Sequence, residues 1–197
     1  HVLAGNADQA AKATAVFLSS PQMPPQYKNK AMVRQGAIQH QKGKQSEAIG
    51  VWSDLTRKQP GDPELLAEIL VTCNRLRIDC PRVAQTSATA VENGDGKRFA
   101  ILNVGLGRYS LGKKELGKAV TYLEAGRDKG NKNKIESNDP LMLVSLSDAY
   151  YRTKKFSEAL EIYFEMSKQF PQVRQIQEAL QGIYSMEHKS AGDVKIN

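Results

Sequence analysis

The residues best suited to nucleophilic, acid–base or metal chemistry in this chain are three histidines and two cysteines, and their spacing keeps them apart. His1 and His188 lie near opposite termini and His40 stands within a helical pattern, so no two imidazoles share a turn. A zinc site needs four ligands at close spacing. His40, Cys73 and Cys80 supply three scattered candidates, so no metal is expected. The segment GLGRYSLG at 105 to 112 contains G-x-G, but its third glycine falls at the wrong interval for a dinucleotide fingerprint and no strand precedes it. Its glycines read as close-packing positions in a helix. GKQS at 43 to 46 lacks the upstream glycine and the residue order of a phosphate loop, and reads as an interhelical turn. Catalysis requires a convergent set of groups. None converges here, so the chain reads as no enzyme and as needing no cofactor.

Cys73 and Cys80 are seven residues apart. Two turns of continuous helix would hold their Cα atoms roughly 10 Å apart, beyond bridging reach. Two free thiols are therefore expected, and only a chain reversal between them would permit a disulfide.

The elements that carry these residues belong to a chain of 197 residues, 40% apolar and 25% charged, the composition of a soluble globular protein. That length can bury a core without metal or disulfide support. No apolar run reaches the roughly 18 residues that a membrane span requires. The chain opens on His1 without a basic, apolar and small-residue leader, and so reads as a mature or excised segment. A bacterial envelope or periplasmic location is preferred to the cytoplasm. A net charge of +7 favours acidic partners, anionic surfaces or nucleic acid. The densest basic cluster, Arg127 to Lys134, sits among Gly and Asn and reads as a solvated loop.

Laying the sequence against itself reveals a period. Around Ala48 stand Gly36, Trp52, Leu55 and Pro60; at the same offsets around Ala159 stand Ser147, Tyr163, Met166 and Pro171. Ala119 has Gly107, Leu123, Gly126 and Asn131, and Ala84 has Thr72, Ala88, Val91 and Gly96. These anchors are 36, 35 and 40 residues apart, and a fifth, incomplete copy surrounds Ala10 with Phe17 in place of Leu55. Spacings of this size mark helical-repeat arrays. Each unit reads as two antiparallel helices. The second carries one apolar face, as in Ala48, Ile49, Trp52 and Leu55 or Ala159, Leu160, Tyr163 and Met166. Asp62-Pro63 and Asp139-Pro140 mark helix starts, and Gly43 and Lys154-Lys155 mark tight turns between paired helices.

The stretches GAIQHQKGKQSEAIGVW at 36 to 52 and SDAYYRTKKFSEALEIYF at 147 to 164 resemble the tetratricopeptide repeat. The resemblance covers almost the whole chain and implies an all-α, right-handed superhelical solenoid of antiparallel helix pairs. Residues 1–197 then form one repeat domain: a partial repeat with a second helix only (1–28), a repeat (29–64), a divergent repeat (65–99), a repeat with a loop insertion (100–139), a repeat (140–171), and a capping helix and tail (172–197). The capping helix is expected from Gln172 to about Glu187, with the tail SAGDVKIN frayed. Because residues 1 to 20 lack a preceding helix, Val16 and Phe17 are expected to stand uncovered, an edge suited to self-association.

The resemblance also implies a non-enzymatic scaffold, an adaptor in complex assembly that holds a partner's peptide or helix in a concave groove lined by the first helices. Offsets from each anchor give the lining: Val33 and His40; Ile69, Leu76 and Arg77; Val104, Arg108 and Leu111; Val144, Asp148, Tyr151 and Arg152. This stripe is apolar with a basic fringe, suited to a peptide with apolar anchors and acidic flanks. Chaperone-binding members of the family hold terminal carboxylates with Lys and Asn, whereas the first complete repeat here offers Val33 and Ala37. The alternative is a nucleic-acid-binding helical repeat. Base-reading repeats need polar groups facing inward, and Val33, Ile69, Val104 and Val144 cannot discriminate bases.

Overall fold

A computed structural model describes residues 7–94, 100–127 and 140–193. Ten helices and no strand occur among them: α1 (Ala7–Leu18), α2 (Pro25–Gln41), α3 (Gln45–Lys58), α4 (Pro63–Leu76), α5 (Pro81–Glu92), α6 (Ala100–Gly112), α7 (Leu116–Arg127), α8 (Pro140–Arg152), α9 (Phe156–Gln169) and α10 (Arg174–Asp193). The chain forms two compact units, His1–Leu106 and Gly107–Asn197, with the boundary inside α6.

Local chemistry sets the helix ends. Proline opens α2, α4, α5 and α8, where the missing amide costs no intrahelical bond. Asp62 caps α4, its carboxylate accepting from the Leu65 amide at 3.0 Å. Three hairpin turns share one geometry, with Gly43, Lys114 and Lys154 at φ of 78°, 62° and 62°. In each, the next residue's amide (Lys44, Glu115, Lys155) bonds back at 2.9 Å to the carbonyl of Gln39, Ser110 or Tyr150. That bond closes the helix end and reverses the chain. The turns expected at Gly43 and Lys154-Lys155 are thus present.

In the first unit, α1 packs on α2, α2 on α3 and α4, and α4 and α3 on α5. The core is built around Trp52, Leu66, Ile69 and Leu70, each fully buried. Trp52 crosses α2 where it has no side chain: a Cβ on Gly36 would stand 2.4 Å from the indole nitrogen. The indole N–H donates to the Val33 carbonyl at 3.0 Å. Gly105 of α6 likewise lies against Leu70, with Asn74 donating to its carbonyl at 3.1 Å. In the second unit, α7 packs on α8, α8 on α9 and α9 on α10. Leu123 sits over Gly107, whose added Cβ would stand 2.5 Å from Leu123 Cγ. The glycines of GLGRYSLG at 105 and 107 are therefore close-packing positions.

Three sequence expectations change. Cys73 and Cys80 form a disulfide with Cα atoms 6.4 Å apart, not two free thiols. The reason is a chain reversal: α4 ends at Leu76, Arg77 takes the left-handed conformation at φ 57°, and the Ile78 amide bonds back to the Cys73 carbonyl at 3.0 Å. Second, the buried face of α9 is Ala159, Ile162 and Met166, while Leu160 and Tyr163 are only half-buried. Here α8 offers Ser147, which carries the Cβ that Gly36 and Gly107 lack. Third, α10 continues past Glu187 to Asp193. The basic cluster beyond Arg127 and the Asp139 helix start lie outside the described residues.

Candidate functional site

The first-helix stripe chosen from sequence divides between core and surface. In the first unit Val33, Ile69 and Val104 are 1%, 0% and 4% exposed, so they fill the interior and are not offered to a partner. Two of their helices are covered on two sides, α2 by α3 and α4, and α4 by α2 and α5. Leu76 is half-buried and Arg77 exposed at the disulfide-closed turn. His40, half-buried in the last turn of α2, has a buried Nδ1 with no hydrogen-bond partner.

In the second unit the stripe reaches the surface on α8. Val144 and Tyr151 are two turns apart on one face, and they are 45% and 37% exposed. The opposite face of α8, with Met142, Leu143, Leu146 and Ala149, is fully buried. Between the two exposed apolar groups lies Asp148, 3.5 Å from the Arg152 guanidinium. Arg152 also donates to the Leu111 carbonyl at 3.5 Å, tying the end of α8 to α6. Leu111 itself is buried, and half-buried Arg108 lies one turn before it on α6.

Tyr151 is held in place by its surroundings. Its ring meets Phe156 at 5.8 Å between centroids with planes tilted by 59°. Its hydroxyl donates to Met186 Sδ of α10 at 3.3 Å. An aromatic body fixed by packing, with a polar tip at the surface, binds at low conformational cost. Val144, Asp148, Tyr151 and Arg152 thus share one face of α8, joined to α6 through the Arg152 bond to the Leu111 carbonyl.

The sequence reading missed a second apolar surface in this unit. Leu160 and Phe164 of α9 and Leu180 and Tyr184 of α10 line a groove of about 640 Å³. Phe164 and Tyr184 are 53% and 56% exposed, and Lys168 Nζ lies 4.1 Å from the Phe164 ring centroid. The signal was present: in SEALEIYF, Phe164 falls five residues after Ala159, off the buried face, where a large apolar side chain has no core to enter.

Among the described residues no three His, Cys, Asp or Glu side chains gather as metal ligands. No helix among them is long and apolar enough to cross a membrane. No protein-family model and no curated protein matches the sequence.

Proposed function

We propose that this chain is a non-enzymatic protein-interaction scaffold of the tetratricopeptide type, a right-handed solenoid whose first helices present a groove to a partner's peptide or helix. The observation that carries the reading is the face of α8, where Val144 and Tyr151 stand exposed while Met142, Leu143, Leu146 and Ala149 on the opposite face are core. The repeated hairpin turns and the glycine contacts at Gly36 and Gly107 support the repeat type. The partner is an extended or helical peptide with apolar anchors and acidic flanks. Val144 and Tyr151 supply the anchoring contacts, since a few groups dominate most interfaces. Arg108 and Arg152 steer association and set orientation, which makes the on-rate salt-sensitive. The Cys73–Cys80 disulfide supports an oxidising compartment such as a bacterial periplasm.

The test is an array of peptides carrying two large apolar residues flanked by Glu. At least one should bind, and the double variant Val144→Ala/Tyr151→Ala should weaken it about tenfold or more with the thermal midpoint held. Arg152→Ala should mainly slow association at low salt. Binding that survives the α8 double variant but is lost in Phe164→Ala would place the partner on the second-helix face and sink this assignment.

A further inference from the structure

The sulfur of this chain lies in five methionines and two cysteines. Cys73 and Cys80 are joined to each other and no cysteine is free, so the sulfurs left open to mild oxidation are thioethers. Their surroundings differ. Met142 and Met166 are 0% and 2% exposed, Met23 and Met32 are half-buried, and Met186 of α10 is 44% exposed. An oxidant dissolved in water therefore meets Met186 before the other four, since exposure decides which sulfur reacts first.

The Met186 sulfur also touches the α8 face. The Tyr151 hydroxyl donates to Met186 Sδ at 3.3 Å, while the Tyr151 ring is seated on Phe156. A thioether is a weak acceptor. The hydroxyl it holds is released at small cost to a stronger acceptor, such as a carboxylate on the acidic flank of a docked peptide. Oxidation turns the apolar thioether into a polar sulfoxide, whose oxygen accepts a hydrogen bond strongly.

We propose that Met186 is an oxidation site that controls whether the Tyr151 hydroxyl is available to a partner, a role that rests on the reading of the α8 face given above. The oxidant is a hydroperoxide, with hydrogen peroxide the simplest. A lone pair on Sδ attacks one peroxide oxygen, the O–O bond breaks, and the proton on the attacked oxygen passes to the departing hydroxide. The products are the sulfoxide and water: sulfur gives up two electrons and the peroxide takes them. The new oxygen replaces sulfur as the acceptor for Tyr151. The hydroxyl is then held by α10 and withdrawn from the peptide, which keeps only its other contacts.

Three measurements on the full chain test this. Peptide mapping by mass after brief treatment with hydrogen peroxide should show Met186 oxidised ahead of Met23, Met32, Met142 and Met166. The NMR resonance of the Tyr151 ring carbon that bears the hydroxyl should move on that oxidation, and should stay in place when Met186→Leu is treated in the same way. A Glu-flanked apolar peptide that binds the reduced protein should bind the oxidised one about threefold to tenfold more weakly, the worth of one hydrogen bond. Peroxide should leave the affinity of Tyr151→Phe and of Met186→Leu unchanged.

The first two measurements need no partner. Met186 oxidised no sooner than the buried methionines, or a Tyr151 resonance that ignores the oxidation, overturns the proposal even where a peptide binds. Equal affinity before and after oxidation overturns it and leaves the α8 reading standing. A loss of affinity that persists in Tyr151→Phe means general damage to α10 and overturns it too. Should mapping and resonance come out as expected while no peptide binds in either state, the α8 reading has failed and the proposed control falls with it. Leu is close to Met in volume, so Met186→Leu should fold, and retained helical circular dichroism checks both variants. Met186→Ala repeats the experiment should Met186→Leu lose its fold.

Discussion

Gly36 and Trp52 are sixteen residues apart and in contact, with the indole nitrogen where a side chain on residue 36 would begin. Gly107 and Leu123 repeat the relationship at the same separation. Where the first helix offers glycine, the second helix buries the residue four after its alanine anchor, Trp52 or Leu123. Where it offers Thr72 or Ser147, the second helix buries the residue three after, Ser87 or Ile162, and leaves Ala88 and Tyr163 half-buried. One Cβ on the first helix thus accompanies a turn of the second helix about its own axis.

Gly36→Ala should destabilise the first unit by about 1 to 3 kcal/mol, because the indole cannot retreat without losing its bond to Val33. Gly50→Ala is the control: Gly50 lies inside α3 with nothing within 4 Å of an added Cβ, so this change should stabilise by roughly 0.5 to 1 kcal/mol. Chemical denaturation of both variants measures the contrast. Equal midpoints would refute the packing argument.

Reduction of the Cys73–Cys80 disulfide should lower stability by about 2 to 3 kcal/mol, the entropy returned to the unfolded chain by opening so short a loop. A thermal scan with and without dithiothreitol gives the difference, and Cys73→Ser/Cys80→Ser should resemble the reduced protein. A thiol-reactive dye should label neither cysteine of the untreated, unfolded protein, and labelling of both would contradict the bridge.

Tyr150 supplies a pH dependence with a definite sign. Burial, then its hydrogen bond to Glu124 at 2.8 Å, pushes the phenol well above the usual tyrosine range. The unfolded chain ionises this phenol from about pH 10 while the folded chain keeps it neutral. Its stabilising contribution is full below that pH and is lost as the pH rises beyond it. Tyr150→Phe should start less stable at neutral pH by about 0.5 to 1.5 kcal/mol. It should then decline less steeply above pH 10 in urea titrations, and parallel curves would show that Tyr150 does not control the alkaline limb.

Asp62→Ala should cost about 1 kcal/mol by leaving the Leu65 amide uncapped, whereas Asp62→Asn should recover most of it. A Pro-opened helix indifferent to both changes would show that Pro63 alone sets the start of α4.

Much of the helical layout was legible in the sequence because helix starts, turns and amphipathic faces depend on neighbours in the chain. Asp62-Pro63, Gly43 and Lys154 mark their boundaries through capping and through backbone conformations that a few residues already determine. The spacing of Gly36 from Trp52, and the uncovered Phe17, followed from the repeat itself. Other features depend on what lies across a helix, which no local pattern contains. Val33, Ile69 and Val144 share one offset, yet the first two are core and the third is surface. Cys73 and Cys80 meet only because the chain reverses at Arg77, a residue whose type does not announce a left-handed turn. The choice between Ile162 and Tyr163 as the buried member of α9 belongs to tertiary packing, since both lie near the same face and their burial varies with the residue facing them from α8.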